Sequence, residues 1–122
     1  MSFAQELTVA VAANVVYPFE ELQKYFESQT GITLVSVTGS SGQLTVQIEH
    51  GAPFDLFLSA DMEYPETLFK KGMAYNTPQI YAYGTLVLWT MKDMDLSQGI
   101  KILADPQVKK IALASPQTAP YG

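Results

Sequence analysis

The chain has 122 residues, 48% apolar and 16% charged, enough to fill the core of about one domain. That composition excludes a disordered, collagen-like or disulfide-scaffold protein. A net charge of −5 and a pI near 4.6 argue against nucleic acid or an anionic membrane surface as partner.

Taken in chain order, Ser2-Phe3-Ala4 fits the small-x-small pattern of a signal-peptidase site, which would start a mature chain at Gln5. Residues 1–4 are therefore read as a signal-peptide remnant or a tag. Leu7 to Ala12 is a buried strand by its length and β-branched content. It leads through Ala13-Asn14 into a helix carrying Phe19, Leu22 and Phe26 at helical spacing, with Pro18 in the first turn and Gly31 as the stop. Ile32 to Val37 is a second strand. It runs through Gly39-Ser40-Ser41-Gly42 into a helix with Leu44, Val46 and Ile48 that ends at Gly51. Pro53 to Leu58 is a third strand, and Ser59-Ala60-Asp61 caps a helix carrying Tyr64, Leu68 and Phe69 that stops near Gly72.

Strand-helix three times over predicts a parallel sheet with helices on both faces. Beyond it, Ile80 to Met91 reads as one extended run, Leu96 to Leu103 as a short helix and Lys110 to Ala114 as another strand. Ser115 to Gly122 has the composition of a strand-to-helix loop. No apolar run reaches the roughly 18 residues that a transmembrane helix needs.

Three strand ends thus lead into small polar loops: Ala13-Asn14, Ser40-Ser41 and Ala119 to Gly122. In an open parallel sheet, ligands bind outside the carboxyl ends of the strands. A helix N-terminus there presents free N–H groups and the positive end of its dipole, an anion site to which short amide and hydroxyl donors add. Asn and Ser are also ordinary N-caps, so one such loop alone means little. Several on one sheet edge point to an oxyanion held by neutral donors. All seven basic residues are lysines, so no guanidinium fork holds that anion.

Catalytic constellations are weak by comparison. Cysteine is absent, which removes thiol nucleophiles and Cys-based zinc sites together. His50, the single histidine, falls in the last turn of the second helix, where an imidazole complements the dipole and faces water. Gly39-Ser40-Ser41-Gly42 has neither the spacing of a nucleophile elbow nor the ending of a P-loop. Asp61 is a helix cap, and Asp55 at a strand start finds no further ligand cluster for a metal. Tyr81, Tyr83 and Trp89 are read as packing residues. No catalytic residue, resident metal or cofactor is expected.

The string Gly51-Ala52-Pro53-Phe54-Asp55-Leu56-Phe57-Leu58-Ser59-Ala60-Asp61, with Gly39-Ser40-Ser41-Gly42-Gln43-Leu44 before it, resembles the periplasmic molybdate-binding proteins of ABC transporters, within the type II solute-binding fold. Ala12-Ala13-Asn14 resembles the first oxyanion loop of that family, and Ala119-Pro120-Tyr121-Gly122 the loop that opens its second lobe. The resemblance implies a type II periplasmic-binding-protein-like, three-layer α/β/α lobe over residues 5–79. Residues 80–122 would be the crossover and the opening part of an incomplete second lobe, since family members run to nearly twice this length.

It further implies an extracytoplasmic protein that captures molybdate or tungstate and delivers it to an ABC transporter permease in the periplasm. Asn14 and Ser41 would supply side-chain and backbone donors, Tyr121 its backbone N–H, and Ala13 and Ser40 would flank the ion. A backbone N–H and a tyrosine hydroxyl from later residues of the family would be missing. Weak binding and self-association through uncovered apolar faces are therefore expected of this chain. Two rivals carry different chemistry: a cytoplasmic oxyanion-sensing effector-binding module of a regulator, and an enzyme using Ser41 on phosphate esters.

Overall fold

A computed structural model describes residues 5–122; the signal-peptidase-like Ser2-Phe3-Ala4 lies outside the described residues. Three parallel strands form the sheet: β1 (Glu6–Ala12), β2 (Thr33–Gly39) and β3 (Leu56–Leu58), in the order β2-β1-β3. Helix α1 (Val16–Thr30) connects β1 to β2, α2 (Ser41–Glu49) connects β2 to β3, and α3 (Glu63–Lys70) follows β3. The two crossovers run in opposite directions across the sheet. Right-handed connections then put α1 and α2 on opposite faces.

Burial along β1 agrees with that arrangement. Val9, Ala10, Val11 and Ala12 are each at most 1% exposed, although successive strand residues face opposite sides. Val9 and Val11 pack with Phe19 of α1 and with Val15, Leu34 and Leu58. Ala10 and Ala12 form the other face, where the absence of large side chains lets α2 and its fully buried Leu44 lie close. A strand buried on both faces is the continuous apolar run expected of a parallel sheet.

Helix α1 starts earlier than its sequence suggests. A 3₁₀ turn over Ala13–Val15 runs directly into it, and Pro18 falls in its first turn, where a missing N–H leaves no intrahelical bond unmade. Gly31 closes it in the left-handed region at φ 70°, with its N–H on Glu27 O at 2.9 Å. Of the three residues that define its apolar spacing, Phe19 is buried, whereas Leu22 is 62% exposed. One and two turns on from Phe19, the same side of α1 covers the edge of β2: Gln23 donates to Leu34 O at 2.7 Å and Glu27 accepts Leu34 N–H at 2.8 Å. Those two bonds satisfy backbone groups that an edge strand otherwise leaves open.

β3 is shorter than the Pro53–Leu58 run, because its first residues pair differently. Asp55 N–H donates to Thr8 O at 2.8 Å, and the Asp55 carboxylate accepts Thr8 N–H at 2.8 Å. A side chain thus replaces a ladder carbonyl, which gives Asp55 a structural task.

The larger departures come later. A 3₁₀ helix over Gly99–Ala104 stands close to the expected short helix. Ile80 to Met91 and Lys110 to Ala114, however, form no paired strand among the described residues. Tyr83, Trp89 and Leu113 are 89%, 73% and 73% exposed, so two of the three aromatic residues read as packing groups, Tyr83 and Trp89, do not pack here. Strand-forming composition yields a strand only where a neighbouring ladder takes its N–H and C=O groups.

The two leucines give a direct check on the core. Leu44→Ala should lower stability by about 2–5 kcal/mol, as truncation of a fully buried leucine does. Leu22→Ala should change it by less than about 1 kcal/mol. Urea unfolding of both variants measures the contrast, and equal losses would contradict the placement of the helices.

Candidate functional site

Strand register brings the expected loops together. Ala12 pairs with Gly39 and Val11 with Leu58, so Ala13-Asn14, Ser40-Ser41 and Ser59-Ala60 all leave the sheet at its carboxyl edge. With β1 central, Asn14 emerges between the other two loops, on strands about 5 Å apart. In a sheet of this order the crevice for a ligand falls between β1 and β3, where the winding reverses. A cleft of about 820 Å³ opens there, lined by Asn14, Ser59, Ala60, Tyr81 and Tyr121 among others.

The donors differ in how they are committed. Ser40 is the N-cap of α2: its hydroxyl accepts Gln43 N–H at 3.3 Å and Gln43 Oε1 accepts Ser40 N–H at 3.2 Å, a complete capping box. Asn14 is no cap. It is an exposed residue inside the 3₁₀ turn, and neither that turn nor α1 has a side-chain cap. Asn14 lines the cleft, and its amide makes no hydrogen bond among the described residues.

Ser41 is fully buried behind the cleft lining. Its hydroxyl accepts Ala60 N–H at 2.9 Å, a bond that spans from the loop after β2 to the loop after β3, across the end of β1. The second N–H of α2, on Gly42, donates to Thr118 O at 3.0 Å. An oxygen from the distal segment therefore already sits on the positive end of this helix.

That contact needs glycine. A β-carbon at residue 42 would lie 2.9 Å from both Thr118 O and the Tyr64 hydroxyl. Ala119 N–H donates to Ser115 O, and Gly122 N–H to Ala119 O, each at 2.9 Å; these turns carry the chain back to Tyr121, whose hydroxyl fills the space a side chain at Gly84 would take. Tyr121 reaches the same cleft as Asn14, whereas Ala13, Ser40 and Ser41 do not line it: Ala13 is exposed, Ser40 half-buried and Ser41 fully buried.

No lysine, arginine or histidine lines the cleft. Its two acidic residues are engaged elsewhere: Asp55 on Thr8, and Asp61 accepting the Ser59 hydroxyl at 3.1 Å and Tyr64 N–H at 3.4 Å. Among the described residues no group of His, Asp and Glu could hold a metal ion. His50 caps the C-terminal end of α2, exposed, with its ring on Val46 O at 2.8 Å. That is roughly 13 Å along the helix from Ser41, too far to act as its base.

Two residues the sequence reading passed over complete the edge. The Tyr81 hydroxyl donates to Ser59 O at 2.7 Å, and Ala60 supplies the N–H that holds Ser41. The order β2-β1-β3 was the signal that could have found them, since it seats the loop after β3 beside Asn14. Burial, with the neighbouring Tyr121 phenol adding to it, raises the Tyr81 ionisation above the ordinary 10.0. The folded chain therefore favours the protonated phenol. Its contribution is fully present below about pH 10 and is lost as the pH rises through the shifted value.

Residues 7–122 match the family of bacterial extracellular solute-binding proteins. Over 120 residues the chain is 39% identical to the molybdate-binding protein ModA of Azotobacter vinelandii, covering 98% of this chain and 48% of that protein. It is 38% identical over 120 residues to ModA of Rhodobacter capsulatus, covering 98% and 47%. The solved periplasmic molybdate-binding protein of Azotobacter vinelandii superposes with a TM-score of 0.53 at 42% identity, over 54% of this chain and 29% of that one. The chain spans about half the length of the curated relatives it matches.

Two variants probe this geometry. Gly42→Ala should cost about 1–3 kcal/mol, because Thr118 backbone must give way to the added methyl; unchanged urea unfolding would show the approach to be looser. In alkaline titration followed by phenolate absorbance, the difference between wild type and Tyr81→Phe should be a step above the ordinary phenol value. A step at or below that value would contradict the burial of this hydroxyl.

Proposed function

The chain belongs to the bacterial extracellular solute-binding protein family, and on that premise we propose that it captures a tetrahedral oxyanion, molybdate or tungstate, for delivery to an ABC transporter permease in the periplasm. Residues 5–79 act as the first lobe of the binding fold, and residues 80–122 as the crossover and the opening part of the second. Asn14 and Ser41 are the first-lobe ligands, Ala13 and Ser40 flank the ion, and Tyr121 adds its backbone N–H from the second. The work is binding rather than catalysis.

The observation that carries the reading is that small neutral donors follow neighbouring strands at one sheet edge: the Asn14 amide in the cleft, and the Ser41 hydroxyl, which accepts from Ala60 N–H and keeps its own proton. A dianion there is held by charge-assisted hydrogen bonds and helix dipoles, so it needs no cationic side chain, and a net charge of −5 is no obstacle. The Thr118 carbonyl marks where one anion oxygen can go. It accepts from the first turn of α2 and must leave when an oxyanion arrives. The molybdate-binding relatives support the choice of ion.

Calorimetry with molybdate tests the assignment. Ser41→Ala and Asn14→Ala each remove one donor to a desolvated dianion, at about 1.5–3 kcal/mol or roughly 10–150-fold in affinity. Both variants binding like wild type would refute it.

A further inference from the structure

One peptide group links two hydrogen bonds at the sheet edge. Its carbonyl, on Ser59, accepts the Tyr81 hydroxyl at 2.7 Å; its N–H, on Ala60, donates to the Ser41 hydroxyl at 2.9 Å. Ser41 is fully buried and Ser59 is 5% exposed, so both bonds form where water competes poorly. A peptide whose carbonyl accepts a strong donor is polarised, and its N–H becomes the better donor in turn. With a lone pair of its oxygen taken by Ala60, the Ser41 hydroxyl keeps its own proton for another acceptor.

From this chain of contacts we propose that Tyr81 is a positioning residue: through the Ser59–Ala60 peptide its hydroxyl fixes the Ser41 hydroxyl as a donor aimed at the bound oxyanion. The proposal rests on the reading of Ser41 as an oxyanion ligand. It gives the segment after residue 79 a part in the site that its lack of paired strands conceals. Tyr81 ties that segment to the loop after β3, so a displacement of one is felt by the other through a single peptide plane. The Tyr81 ring is 51% exposed, and phenylalanine in its place keeps the ring while removing only the donor.

The test uses the 122-residue chain and nuclear magnetic resonance, with molybdate as the added ion. The Ala60 amide proton should shift upfield in Tyr81→Phe, and further in Ser41→Ala, where the acceptor itself is gone. Molybdate affinity should fall about two- to tenfold in Tyr81→Phe, the span of one net hydrogen bond. The double variant should bind no more weakly than Ser41→Ala, because the tyrosine acts through that serine. An Ala60 proton unmoved in Tyr81→Phe, or losses that add in the double variant, would overturn the relay. Wild-type spectra that ignore molybdate would instead refute the oxyanion reading, while the Ala60 shift still decides whether Tyr81 governs the peptide.

Discussion

Burial of four consecutive residues, Val9 to Ala12, on both sides of the central strand sets the terms for the rest of the molecule. A strand with no solvent face must have a partner at each edge and a helix over each surface. Large side chains on one face and alanines on the other determine how close those helices come. Phe19 fills against Val9 and Val11, and α2, with its buried Leu44, packs against β1. Because β1 ends in this fully dry environment, the loop that follows it emerges at a fixed height between two neighbouring loops.

That fixed edge is what makes a site of weak donors workable. Each amide, hydroxyl or backbone N–H would contribute modestly, so their sum would depend on donors already held in place, with only the Thr118 carbonyl to be displaced from Gly42 N–H. The Ser41–Ala60 bond closes the edge across the end of β1 and joins two loops that are distant in sequence. The capping box of Ser40 and Gln43 spends the local donors that would otherwise compete, so the first turn of α2 is settled before any ligand is bound. At the other end of that helix, the Lys71–Glu49 ion pair ties its last turn to the end of α3.

The parts legible in the sequence are those whose pattern is local. β1, β2 and α2 follow from a continuous apolar run, an alternating run and a capped helix, and Gly31, Gly51 and Gly72 mark where helices stop. The position of Asn14, Ser40 and Ser41 at the carboxyl edge of the sheet was readable because they follow strands directly. What was not readable depends on partners elsewhere. Ile80 to Met91 has the composition of a strand, yet composition does not supply a ladder. Leu22 has core spacing, but Gln23 and Glu27, on the other flank of Phe19, turn α1 to the backbone of β2 and leave Leu22 exposed. Ser59 and Ala60 looked like a helix cap alone until strand order set them beside Asn14. Tyr81 passed for a packing residue because nothing local marks a hydroxyl that reaches a carbonyl 22 residues away.

The central claim is that an oxyanion sits at the carboxyl edge of this sheet, held by neutral donors. A crystal of the chain grown with molybdate, with anomalous diffraction collected at the molybdenum edge, tests it most directly. The account predicts one dominant peak within hydrogen-bonding distance of the Asn14 amide and the first turn of α2, with Thr118 displaced from Gly42. A dominant peak on the exposed lysines, or none at the ends of β1 and β2, would contradict it.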